Sequence, residues 1–154
     1  MSKKAKPIPE GYHSATPYLI VRDAARAIDF YRKAFGATEL VRMPGPDGRL
    51  MHAEMRIGDS VIMLSDEFPE RGALSPQSLG GAGVGIFLYL DDVDAHFEQA
   101  VSAGAKVLVP VEDMFWGDRW GQIEDPFAHR WQLATHKEDL SGEEIGRRAA
   151  QAFG

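Results

Sequence analysis

The sequence says the same thing twice. YLIVRDAARAIDFYRKAFGATEL, from Tyr18 to Leu40, is matched in outline by FLYLDDVDAHFEQAVSAGAKVL, from Phe87 to Leu108, at an offset of 69 that becomes 68 after the helix. Each copy runs from an apolar strand to an aspartate, then an amphipathic segment, a glycine and another strand. Ala27, Phe30, Tyr31, Ala34 and Phe35 fall on one helical stripe, and Phe97, Ala100, Val101 and Gly104 repeat the rhythm. Asp23 and Asp92 are placed as N-caps, while Gly36 and Gly104 are placed to end the two helices.

After the first helix the pattern predicts strands over 38–43, 50–57 and 60–65, and after the second over 106–111, around 117–124 and over 130–136. Both halves therefore read β-α-β-β-β. A single such unit has an apolar sheet face and too little to cover it, so two are expected to pack together and curve around a shared concavity, with the helices on the other faces. The expected fold is α+β, built of tandem βαβββ modules whose curved mixed sheet surrounds a concave cavity. The organisation expected is a flexible leader over 1–11 and one domain over 12–139, its modules about 12–67 and 84–139 with a Gly-, Ser- and Pro-rich linker over 68–83. A tail over 140–154 suggests a short helix opened by Ser141, with Glu144 placed for a capping box.

The order of motifs in RDAARAIDFYRKAFGA and DPFAHRWQL, together with the repeat, resembles the vicinal oxygen chelate superfamily of glyoxalase I, bleomycin-resistance proteins and extradiol dioxygenases. TPYLIVRD, MHAEMRIGDSVIMLSDE and FWGDRWGQIEDPFAHRWQLATHKED are similar to its PhnB-like branch. The resemblance spans about residues 12 to 139 and implies the tandem fold, a homodimer and, in the enzymes, a divalent metal held by two side chains from each half. The positions it implies for those ligands are Thr16, Met63, Gly85 and Gln132. Hydroxyl, thioether, hydrogen and amide are a poor donor set for a hard or borderline cation. No metal is expected there, which puts metal-dependent glyoxalase or dioxygenase chemistry in doubt.

On 50–57, alternation places His52, Glu54 and Arg56 on one face and Met51, Ala53, Met55 and Ile57 on the other, which should pack under the helices. The polar face reads as a solvated surface with a Glu54–Arg56 charge pair, as cavity lining, or as a displaced metal site. His52 and Glu54 are the candidate catalytic residues, as a base with its orienting carboxylate or as ligands of Zn, Ni, Mn or Fe. On the last strand Arg130 and Gln132 face inward and Trp131 belongs to the core. Asp118, Trp120 and Gln122 share a face opposite Arg119 and Ile123, with Gly117 and Gly121 inviting a bulge.

Thr16, Tyr18, Trp116, Arg119, Trp120, Arg130 and Gln132 are the candidate ligand-binding residues. Trp116 and Trp120 read as an aromatic clamp or as packing. Arg119 and Arg130 read as a grip on an anion or as ion pairs with Asp118, Glu124 or Asp125. His129 reads as a turn residue, and His13, His96 and His136 have no constellation around them. The methionines fill the core or line an adaptable pocket.

Seventeen basic against 23 acidic residues, a net charge of −6, argue against a nucleic-acid surface. No cysteine is present, no apolar run is long enough to span a membrane, and MSKKAKPIPEG has no secretory pattern. A cytoplasmic protein is expected. Its function is expected to be the binding of a small organic molecule without the usual metal site. The alternative is a lyase, isomerase or dioxygenase-like enzyme using His52 and Glu54.

Overall fold

The computed structural model describes residues 4–154. It divides into two units, one ending at Gly80 and the other beginning at Gly81. The first holds β1 (Tyr18–Val21), α1 (Ala24–Phe35), β2 (Thr38–Pro44), β3 (Leu50–Ile57), β4 (Ser60–Asp66) and a short α2 (Pro76–Leu79). The second holds β5 (Gly85–Tyr89), α3 (Val93–Ala103), β6 (Lys106–Asp113), β7 (Asp118–Glu124), β8 (Arg130–His136) and α4 (Gly142–Phe153).

Each unit contains one four-stranded mixed sheet, ordered β1-β4-β3-β2 in the first and β5-β8-β7-β6 in the second. In both, the outer pair joined across the helix is parallel and the rest are antiparallel. The repeat extends to register. Tyr18 pairs with Met63 and Phe87 with Gln132, so both partners are displaced by the same 69 residues.

Local chemistry sets the helix ends. Asp23 accepts the Arg26 amide at 3.1 Å and Asp92 the Ala95 amide at 3.2 Å, satisfying first-turn donors that have no partner inside the helix. Gly36 closes α1 at φ 67°, a left-handed conformation that favours glycine. From α1, Ala27, Ile28, Tyr31, Ala34 and Phe35 pack with Leu19, Val21, Ala53, Met55, Ile62 and Leu64 into a buried core. In the second unit Val93, Phe97 and Ala100 of α3 are buried, as are Ile123, Trp131 and Leu133.

Two buried aspartates fasten loops to these cores. Asp66 accepts the amides of Ala24 and Leu50 at 2.9 and 2.6 Å, tying the start of α1 to the start of β3. Asp125 accepts the amides of Phe127 and His129 and the Trp131 indole N–H at 2.8, 3.0 and 2.8 Å, which shapes the DPFAH turn and seats Trp131 in the core.

The structure departs from the sequence reading at several places. Met51 is 46% exposed instead of lying under the helices, because it packs beside the β2–β3 turn at Gly45. The segment 68–83 is not plain linker. It carries a 3₁₀ turn at Pro69–Arg71 and α2, whose cap Ser75 is held by Glu67 through both its amide and its hydroxyl. The irregularity expected at Gly121 falls on its β6 side: β7 pairs with β8 in continuous register, but β6 takes three steps from Val109 to Glu112 against two from Gln122 to Trp120. The hydrogen of Gly121 is required because a Cβ there would stand 2.7 Å from the Phe97 ring.

The tail helix is twelve residues long. Ser141 caps it by accepting the Glu144 amide, but the Glu144 carboxylate turns to Arg147 and Arg148. Of the leader expected over 1–11, residues 1–3 lie outside the described residues. The remainder has no helix or strand, and the Pro9 carbonyl accepts the Tyr12 amide in a turn at 3.1 Å. Among the described residues no helix is long and apolar enough to cross a membrane.

Candidate functional site

Within each unit the long helix packs on one face of its sheet, α1 in the first and α3 in the second, so the side chains of alternate parity stand on a face without it. On the first sheet that face gathers Tyr18 from β1, Met63 from β4, and His52, Glu54 and Arg56 from β3, with Met43 of β2 paired to His52.

The polar members form a chain of hydrogen bonds. The Tyr18 hydroxyl lies 2.9 Å from His52 Nδ1, and His52 Nε2 lies 2.7 Å from Glu54 Oε2. Tyr12, just before the domain's first strand, donates its hydroxyl to the other oxygen of Glu54. Glu54 is only 8% exposed. Burial alone would raise its pKa, but the hydroxyl of Tyr12 and the ring of His52 outweigh it and hold the carboxyl below the usual carboxylate range. The hydrogen bond to Glu54 pushes the Tyr12 hydroxyl up.

A carboxylate accepts hydrogen bonds only, so neutral His52 carries its proton on Nε2 and turns the Nδ1 lone pair to Tyr18. Among the described residues there is no Glu54–Arg56 ion pair, because both oxygens of Glu54 are taken by Tyr12 and His52.

On the second sheet Trp120 donates its indole N–H to Gln132 Oε1 at 3.1 Å, and the Trp116 ring stands 5.5 Å from the Trp120 ring at 70°. Phe87 is cross-strand to Gln132 and exposed, and Arg130 is exposed two residues along the same face. The structure thus brings Trp116, Trp120 and Gln132 together and places Arg130 on their side.

Arg119 is not among them. It faces α3, where it grips both oxygens of Asp94 at 2.7 and 2.9 Å and reaches Asp113 at 3.2 Å. Those are its partners, rather than the aspartates and glutamate named from the sequence. Its guanidinium braces α3 against β7, with its charge already matched.

Thr16 is half-buried just ahead of β1, and Gly85 opens β5 beside the Arg130 carbonyl. The four positions at which the resemblance implies metal ligands do not fit a divalent ion. Gly85 has no donor, Met63 offers a thioether, Thr16 a hydroxyl, and the one amide oxygen, on Gln132, already accepts from Trp120. A displaced ion fits His52 and Glu54 no better. Both nitrogens and both oxygens have partners within the chain, and the described residues contain no group of three His, Cys, Asp or Glu suited to a metal.

One constellation escaped the sequence reading. Asp118 is 3% exposed and accepts from the Tyr89 hydroxyl and the Trp116 indole, both at 2.9 Å, while His136 Nδ1 lies 2.7 Å from its other oxygen. His136 Nε2 in turn meets Asp139 at 2.8 Å. Asp118 first, then Asp139, pushes the His136 pKa up, and the hydrogen bond to Asp118 raises Tyr89. An adjoining pocket of about 300 Å³ is lined by Asp113, Met114, Gly117, Asp118, Lys137 and Glu138. The signal was available in the hairpin: counting outward from the DPFAH turn sets Asp118 opposite His136.

The family model described as the glyoxalase/bleomycin resistance protein/dioxygenase superfamily matches residues 12–133. The uncharacterized protein Mb0911c of Mycobacterium bovis is 49% identical over 133 residues, which cover 84% of this chain and 88% of the relative. Among solved structures, TioX from Micromonospora sp. ML1 superposes with a TM-score of 0.62 at 26% identity, covering 84% of this chain and all of that one. A PhnB protein from Bacillus cereus superposes with a TM-score of 0.63 over 80% of this chain and 99% of its own, at 16% identity, a likeness of fold alone.

Proposed function

The chain belongs to the glyoxalase/bleomycin resistance protein/dioxygenase superfamily, and from that premise we propose that it binds a small organic molecule on its helix-free sheet faces. It does so without the metal-ligand set of the superfamily's enzymes. The observation that carries this reading is at Gln132. The last-strand position expected to supply a carboxylate holds an amide, and that amide braces the indole of Trp120. The position has become part of an aromatic surface with few polar anchors, the composition of a small-molecule site.

Tyr18, Trp116 and Trp120 are the aromatic surfaces of this reading, and Arg130 is its exposed charge. The test is elemental mass spectrometry of protein purified from metal-supplemented cells, followed by a ligand screen read by tryptophan fluorescence. Metal well below one per chain, with a ligand that quenches wild type and fails to quench Trp120→Phe, supports the reading. One equivalent of tightly held metal sinks it.

The 2.7 Å contact of His52 with Glu54 favours a second reading, a lyase or isomerase in which the pair serves acid–base chemistry. Membership of the PhnB-like branch rests on the three motifs quoted above. A homodimer in the cytoplasm completes the proposal, the first resting on superfamily resemblance and the second on the absence of cysteine. Light scattering that returns the mass of one chain at micromolar concentration would remove the dimer.

A further inference from the structure

We infer that Tyr18 is a proton-accepting group on the open face of the first sheet, its hydroxyl activated through His52 by the buried carboxylate of Glu54. Three contacts set the direction of the relay. Glu54, held ionised by Tyr12 and His52, fixes the imidazole proton on Nε2. Nδ1 then offers its lone pair to the Tyr18 O–H at 2.9 Å. The Tyr18 side of the relay opens outward, since that residue is 48% exposed while Glu54 is 8%.

When the Tyr18 oxygen takes a proton from a substrate, its own proton passes to His52 Nδ1. One proton leaves the substrate and one arrives on the imidazole. The negative charge stays on the substrate, and the imidazolium lies 2.7 Å from Glu54, which stabilises it. Around Tyr18 the face carries Met63 and Met43. That apolar environment fits a small uncharged carbonyl compound whose proton next to the carbonyl is removed. The substrate class rests on the proposed binding role of this face, whereas the activation of Tyr18 rests on the contacts alone.

The chain contains its own comparison. Tyr89 is more exposed, at 63%, and its hydroxyl donates to a carboxylate with no imidazole between. The experiment treats the full-length protein with benzenesulfonyl fluoride and follows each tyrosine by peptide mass spectrometry. The phenol oxygen bonds to sulfur, fluoride leaves, and the phenol proton goes to His52. Tyr18 is expected to react about tenfold faster than Tyr89, and His52→Gln, checked for folding by circular dichroism, to slow Tyr18 about tenfold with Tyr89 unchanged. A difference under about threefold in either comparison overturns the activation.

Because labelling needs no reversible ligand, it stands or falls apart from the binding proposal. The substrate class is read by deuterium wash-in next to the carbonyl of hydroxyacetone. Wash-in lost in Tyr18→Phe supports it, and wash-in no faster than buffer removes it.

Discussion

Replacing Gly121 by alanine tests whether β7 is held where the structure puts it, and with it Asp118 and Trp120. A Cβ at 121 would stand 2.7 Å from Phe97 Cε2, 2.9 Å from Val111 Cγ2 and 3.1 Å from the Val109 carbonyl. Carbon atoms pack best near 3.5–4.0 Å, so the two side chains must each give way by about 1 Å. The carbonyl belongs to the neighbouring strand β6 and has nowhere to swing.

Overpacking of this kind costs about 1–3 kcal/mol. Part is offset by about 0.4–1 kcal/mol, because alanine leaves the unfolded chain less free than glycine does. The backbone at 121 is not in the left-handed region, so no dihedral strain adds to the sum. The net expectation is a loss of up to roughly 2.6 kcal/mol, or a melting temperature lower by up to about 10 °C for a chain of this size. Urea unfolding read by tryptophan fluorescence measures it. In a Phe97→Leu background the penalty should fall by at least about half, since the closest obstacle is gone. A stabilising Gly121→Ala, or the same penalty in both backgrounds, refutes the placement of α3 on β7.

Three further perturbations follow from the hydrogen-bond clusters. His136, raised by Asp118 and Asp139, contributes stability fully present below its ordinary value of 6.5 and lost as pH rises through the raised one; its NMR titration midpoint should lie above 6.5 and return toward it in Asp118→Asn. Glu54, whose carboxyl is lowered, contributes stability present above its ordinary value of 4.5 and lost as pH falls through the lowered one. Glu54→Gln should cost about 1–2 kcal/mol at neutral pH by weakening two charge-assisted hydrogen bonds, and urea midpoints across the acid range should flatten. Asp92→Ala should cost about 1 kcal/mol through the loss of the α3 cap, read by the same denaturation, and Asp92→Asn only a fraction of that.

The strands and helices were legible because their signal is periodic. The stripe of Ala27, Phe30, Tyr31, Ala34 and Phe35 reports a buried face directly, and the alternating run 50–57 does so except at Met51. Register was not read from the repeat, since equal spacing in the two copies says that they pair alike and not which strands pair. What completes the two polar clusters lies outside any period. Tyr12 comes from the turn ahead of β1 and Asp139 from the segment after β8, and an irregular segment carries no pattern that says which side chain it reaches. Arg119 was misplaced for a different reason. Its face was identified correctly as opposite to Trp120, but its partner Asp94 sits on a helix crossing over the strand, a distance that alternation within the strand does not encode.

The shared register also shows what duplication did not preserve. Glu54 pairs with Met63 as Gln122 pairs with Gln132, which makes Trp120 the counterpart of His52 and Phe87 the counterpart of Tyr18. At three of these places the first unit holds a proton-carrying side chain, Glu54, His52 or Tyr18, where the second holds an amide or an aromatic; at the fourth, Met63 is matched by the amide of Gln132. The buried residues that fix the sheets do not follow this division, since Leu19 and Leu64 are matched by Leu88 and Leu133. Selection for packing alone would keep both faces alike or let both drift. The difference is confined to the positions of the relay, since the same face of the second sheet carries its own proton-bearing cluster of Tyr89, Asp118 and His136 further along the strands; the relay proposed at Tyr18 has no copy at Phe87. Exchanging His52 for tryptophan should therefore abolish the reactivity of Tyr18 while leaving the fold of the first sheet intact.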